Sequence, residues 1–178
     1  EIFPDYKEVT IPCNIAPMNF QVISQEGNSW MAEVTAAGET VRIRSCNGLI
    51  SFGKGQWKKL IGEGGELSIQ IYEKREGRWL AYQKFNMHVA DDPVDPYLAY
   101  RLITPGYSLW REMSICQRDL ESFRETRIYS NSRGKGNCVN CHSFCDRDPG
   151  RMLIHMRAES AGTYIFCDGR KEKLETKT

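Results

Sequence analysis

Glu66-Leu67-Ser68-Ile69-Gln70-Ile71-Tyr72-Glu73 alternates apolar and polar side chains without a break. A period of two is that of a half-buried strand, and it puts Leu67, Ile69 and Ile71 on one face. Similar runs lie on either side. Asn19 to Ser24 is closed by the turn-forming Gln-Glu-Gly-Asn, and Ser29 to Ala36 alternates through Trp30, Ala32 and Val34. Thr40 to Cys46 alternates again after Gly38, through Val41, Ile43 and Ser45. Arg75-Glu-Gly-Arg78 predicts a hairpin turn into a long strand, Trp79 to Val89, with Tyr82 and Phe85 offered to the core. Between Gly53 and Gly62, Trp57, Leu60 and Ile61 fall at helical spacing and predict a short linking helix. The sum is a mainly β fold, an immunoglobulin-like antiparallel β-sandwich over residues 1–92.

Asp91-Asp-Pro-Val-Asp-Pro96 breaks the pattern and sets the domain boundary. Residues 93–178 read as an irregular segment followed by a short β-hairpin. The aromatic run Tyr97 to Met113 opens it, and Glu112 to Arg127 is charged and irregular or partly helical. Arg151 to Ala158 and Gly162 to Cys167 read as strands joined by Glu159-Ser-Ala.

Within the irregular segment stands Cys138-Val-Asn-Cys-His142, the attachment signature of c-type haem. Two thiols form thioethers with the porphyrin vinyl groups, and an imidazole ligates the iron. Positions i, i+3 and i+4 share one face of a helix, so one helical turn would aim Cys138, Cys141 and His142 at the same haem. The approach, Ser130 to Asn137, is a polar loop. Two other chemistries use the same residues. Zinc could take Cys138, Cys141 and Cys145 with His142 or Cys167, although the second paired half-site of standard zinc sites is missing. A disulfide or free thiols are the other reading.

A haem would need a further ligand or keep an open face. His155, 13 residues on, is the first candidate, and Met113 the second. His88, Met152 and Met156 compete with them. Leu153 and His155 share one strand face, and Met152 and Met156 the other, so all three cannot reach one iron. Tyr97, Tyr100, Tyr107 and Trp110 could wall a haem, and Arg101 and Arg111 could pair with its propionates, though core packing and surface ion pairs use the same residue types.

The chain has 178 residues with a net charge of +1 and 40% hydrophobic residues. That balance offers no electrostatic reason for a nucleic acid or an anionic membrane partner. No apolar run approaches the about 18 residues of a membrane span. The chain begins at Glu1 rather than Met, which is the expectation for a processed protein. Seven cysteines are present. Cys13, Cys46, Cys116, Cys145 and Cys167 lack the tight spacing of a disulfide scaffold and are expected as small buried residues. Nucleophile elbows, paired His-x-x-x-His runs and phosphate loops are missing. Gly53-Lys-Gly55 and Gly134-Lys-Gly136 are too short for the last. A stand-alone enzyme is therefore not expected.

Phe3-Pro-Asp-Tyr6, Ile11 to Phe20, Asp95 to Ile103, Pro105-Gly-Tyr107, Cys138 to Phe144 and His155-Met-Arg157 together resemble the N-terminal region of Bacteroidetes cytochrome c-like or TolB-like cell-envelope proteins. The resemblance covers nearly the whole chain. It implies export, to the periplasm or outer membrane, with a lipid anchor upstream of Glu1. It also implies a TolB-like β-propeller after the region, so that residues 151–178 would be its first strands. Envelope proteins or a redox partner are the implied partners. Cys13 departs from the pattern, where a variable residue or proline is expected.

Overall fold

A computed structural model of the chain describes residues 1–24, 26–106, 111–133 and 137–174. Strands make up 54% of it and helices 9%, so the fold is mainly β, built of antiparallel sheets. The chain divides into two compact units. The first holds Glu1–Pro96 with Asp119–Arg124, and the second holds Tyr97–Arg118 with Glu125–Thr178.

The first unit contains β1 (Ile2–Phe3), β2 (Thr10–Pro12), β3 (Phe20–Val22), β4 (Ser29–Ala36), β5 (Glu39–Ser45) and β6 (Leu49–Ile50). Helix α1 (Lys54–Ile61) follows, then β7 (Gly65–Arg75), β8 (Arg78–Ala81) and β9 (Phe85–Ala90). One sheet runs β2-β9-β7-β4-β5, with β8 paired to β7, and the other runs β1-β3-β6. Leu67, Ile69 and Ile71 of β7 are buried with Trp30, Ala32 and Val34 of β4. Phe20, Val22 and Ile50 from the small sheet and Trp57, Leu60 and Ile61 from the helix close the same core. Two sheets thus share one apolar interior, as the alternation demands. The Trp57 indole donates to the Ile15 carbonyl at 2.9 Å, which satisfies its N–H inside that interior.

Two details differ from the sequence expectation. The edge strand β2 runs parallel to β9, through Thr10↔His88 and Ile11↔Val89. The long strand from Trp79 to Val89 is broken between Ala81 and Phe85. Phe85 is buried, but Tyr82 lies at the surface, with its hydroxyl reaching in to donate to the buried Glu73.

The second unit is more regular than its composition suggests. It contains β10 (Tyr97–Leu102), β11 (Ser114–Asp119) and β12 (Glu125–Ser130), forming a sheet in that order. The charged stretch Glu112 to Arg127 is therefore largely paired strand, not helix. A second sheet follows from β13 (Cys138–Phe144), β14 (Arg151–Arg157), β15 (Gly162–Cys167) and β16 (Arg170–Leu174), each antiparallel to the next. The expected hairpin is thus the middle of a four-stranded sheet. Its core is small: Ile115, Val139 and Ile154 are buried, with Tyr129, Met152, Met156 and Phe166 packed on them.

Candidate functional site

The Cys138 to His142 run lies on β13, not on a helical turn in a loop. Spacing i, i+3 puts two residues on opposite faces of a regular strand. Here the ladder slips by one residue between Val139 and Cys141, which is a β-bulge. Val139 stands opposite Met156 and Cys141 opposite His155, leaving Asn140 as the extra residue. The slip restores parity. Cys138 and Cys141 both turn away from the core, on the face that carries His155 and Leu153.

His142 goes the other way. It stands opposite Ile154, one of the buried residues of the small core, and its ring meets Phe144 edge-on at 6.2 Å between centroids. Haem attachment needs both thiols and the ligating imidazole on one side of the strand. With β13 paired, the two thiols and His155 meet that requirement and His142 does not.

His155 is half-buried, and its Nδ1 shares a hydrogen bond with Thr163 Oγ1 at 3.1 Å. Such a bond fixes the ring and leaves Nε2 for another partner. Met152 and Met156 lie on the opposite face and fill the core. Met113 is buried just before β11, where its carbonyl accepts the Asn131 N–H at 3.0 Å. Its side chain is core filling, not an exposed donor on the thiol face.

Two asparagines hold the start of β13. Asn131 Oδ1 accepts the buried Val139 N–H at 3.0 Å. Asn137 bonds Ser160 twice, accepting its N–H at 2.7 Å and donating to its Oγ at 3.2 Å. These contacts tie the strand to the turn that follows β12 at Asn131 and to the β14–β15 turn. The sequence carried the signal, in two asparagines flanking a glycine-rich loop, but the partners come from tertiary pairing.

Other named candidates fall elsewhere. His88 belongs to the first unit, beside Glu8 at 3.6 Å and Glu66 at 4.0 Å. Tyr97 is exposed, and Tyr100 donates to Glu125, which raises its phenol pKa. Arg101 and Arg111 are exposed. Tyr107, Trp110 and Gly134-Lys-Gly136 lie outside the described residues.

The cysteines correct another expectation. Cys116 is buried, but Cys46, Cys145 and Cys167 are exposed and Cys13 is half-buried. Burial raises the Cys116 thiol pKa, and the hydrogen bond to Asp168, then burial, raises that of Cys167. Among the described residues, no group of three or more His, Cys, Asp or Glu side chains is set to hold a metal ion. No family model, curated protein or solved structure matches the chain.

Proposed function

We propose that the chain is an exported c-type haem-binding module, for electron transfer or for sensing a small ligand. The observation that carries this reading is the bulge at Asn140, which brings Cys138, Cys141 and His155 to one outward face. A Cys-x-x-Cys-His run is the signature of such attachment. When bound, haem supplies one-electron chemistry or a site for a diatomic ligand at its iron. The chain's part is to present two thiols and a fixed imidazole.

His142 joins them only when β13 leaves β14. Because β13 is the outer strand of its sheet, that movement breaks one ladder, together with the Asn131 bond to the Val139 N–H and the burial of Val139. Haem c is attached outside the bacterial cytoplasm, so the reading carries an extracytoplasmic address. A four-stranded antiparallel sheet is also the unit of which β-propellers are made. That is in keeping with a following propeller; envelope partners and an upstream lipid anchor enter the same proposal through the sequence resemblance alone.

Expression with a haem c maturation system tests it. The expected product keeps its Soret absorption after denaturation and gains the mass of one haem. Protein that matures without either overturns the reading.

The thiols sharing one outward face, with His142 turned inward, favour one alternative: a non-redox envelope-binding module whose Cys-x-x-Cys pair is structural, as a disulfide rather than a zinc site. Matured parent without covalent haem, together with Cys138→Ser and Cys141→Ser variants that melt at a lower temperature than the parent, would support it.

A further inference from the structure

The first unit carries a shallow cleft that the cysteine motif does not explain. It has a volume of ≈ 560 Å³, within the range of small-ligand sites, and lies across the ends of β4, β5, β7 and β8. Register builds it. Ser29 stands opposite Lys74, and Lys74 stands opposite Trp79 on the next strand. Arg44 stands opposite Met31, two residues along the same outward face. The row is thus a hydroxyl, an amine and an indole, with a guanidinium beside it.

The indole is unusually open. Trp79 is 43% exposed on the surface of a sheet. The cations also lack counter-charges: neither Arg44 nor Lys74 has an acidic partner among the described residues. Two acids lie on the same face: Glu33 is taken by Arg42 at 2.6 Å, and Glu66 lies beside His88 at 4.0 Å. Trp30 lines the cleft from the core side, and its buried indole N–H has no partner among the described residues.

The strand ends are held firmly from beneath. Glu73 and Arg75, on either side of Lys74, are joined by an ion pair at 2.6 Å. Glu73 also accepts from Ser24 and Tyr82, so both ends of β8 are fixed to β7. Lys74 and Trp79 are therefore presented by a braced hairpin.

We infer that this cleft binds an acidic saccharide, with a sugar ring against Trp79 and its carboxylate or sulfate between Lys74 and Arg44. An indole face suits the C–H face of a sugar ring, and two unpaired cations suit its anionic group. A single-stranded nucleic acid uses similar residue types, but it needs a basic groove with successive aromatic platforms. One indole and a chain charge of +1 do not provide that.

Calorimetry and tryptophan fluorescence with oligogalacturonate test the inference, with neutral galactose oligomers and oligo-dT as comparisons. Oligogalacturonate should bind, weaken as salt is raised, and outcompete both. Lys74→Gln and Arg44→Gln should each weaken it about tenfold, and Trp79→Ala should abolish it. All three side chains point outward, so melting temperatures should stay near that of the parent. Retained binding in Trp79→Ala overturns the inference. So does stronger binding of oligo-dT, or no binding of either oligogalacturonate or a sulfated heparin oligosaccharide. None of these outcomes depends on haem.

Discussion

Cys141 faces His155 directly across the β13–β14 ladder, while its neighbour His142 faces the buried Ile154. The two histidines of this sheet are thus not equivalent. His155 shares the thiol face with the ladder intact, whereas His142 requires β13 to swing out. In protein carrying covalent haem, His155→Ala should keep the added mass but change the visible spectrum. Met113→Leu should change neither, because Met113 fills the core. An unchanged spectrum in His155→Ala would remove this histidine from the iron. The measurement is absorption spectroscopy with intact mass on the same samples.

The motif's residues were legible in the sequence, but their conformation was not. Spacing i, i+3, i+4 describes one face of a helix, and Cys138, Cys141 and His142 satisfy it. A strand with one extra residue also unites positions i and i+3, and only pairing reveals the extra residue. Here the partners of Val139 and Cys141 are Met156 and His155, supplied from 14 or more residues downstream. Local pattern cannot report a register. Where alternation was clean and one face apolar, it was enough: Ser29–Ala36 and Gly162–Cys167 form strands at the limits read from sequence. β11 and β12 escaped notice because their charged outward residues blur the period. Glu73 escaped because a carboxylate on an apolar face reads as an end, not as a buried charge.

Thiol exposure predicts an order of alkylation. Cys46, Cys141 and Cys145 are exposed and should react first with a maleimide. Cys167 is exposed too, but its raised pKa leaves less thiolate at neutral pH, so it should lag behind them. Cys116 is buried with a raised pKa and should react only on unfolding. Peptide mapping after short labelling times gives the order directly. Early labelling of Cys116 would contradict the packing of β11.

Asn131 predicts how firmly the motif strand is held. Its side-chain oxygen takes the N–H of Val139, and both residues are buried. Asn131→Ala leaves that N–H without its acceptor, at a cost of roughly 1–3 kcal/mol. The loss falls at the start of an outer strand, so local opening should increase more than global unfolding. Cys138 labelling and amide exchange at Val139 should both speed up. Asn131→Asp keeps the acceptor oxygen and should restore slow exchange. Unaltered exchange in Asn131→Ala would mean that the β14 ladder alone holds the strand.

Glu73 makes stability depend on acid. It is fully buried on the core side of β7, where burial alone would raise its pKa. Hydrogen bonds from Ser24, Tyr82 and Arg75, with the charge of Arg75, outweigh burial and lower it from 4.5 to about 2. Gly27 makes the enclosure possible, since a Cβ there would fall 2.2 Å from the carboxylate oxygen. A folded pKa below the unfolded value means that the ionised form is favoured by folding. Its contribution is therefore whole above about pH 4.5 and lost as pH falls towards 2. Glu73→Gln removes the charge facing Arg75 and should cost roughly 3 kcal/mol near neutrality. The gap between parent and variant in urea midpoint should narrow steadily through that acid window. Arg75 also meets Glu26, so Glu26→Gln serves as the control. Glu26 is mostly exposed, and its loss should shift the midpoint far less. A parent–variant gap that stays constant from pH 7 to 2 would show that the carboxylate's charge is not what the hairpin relies on.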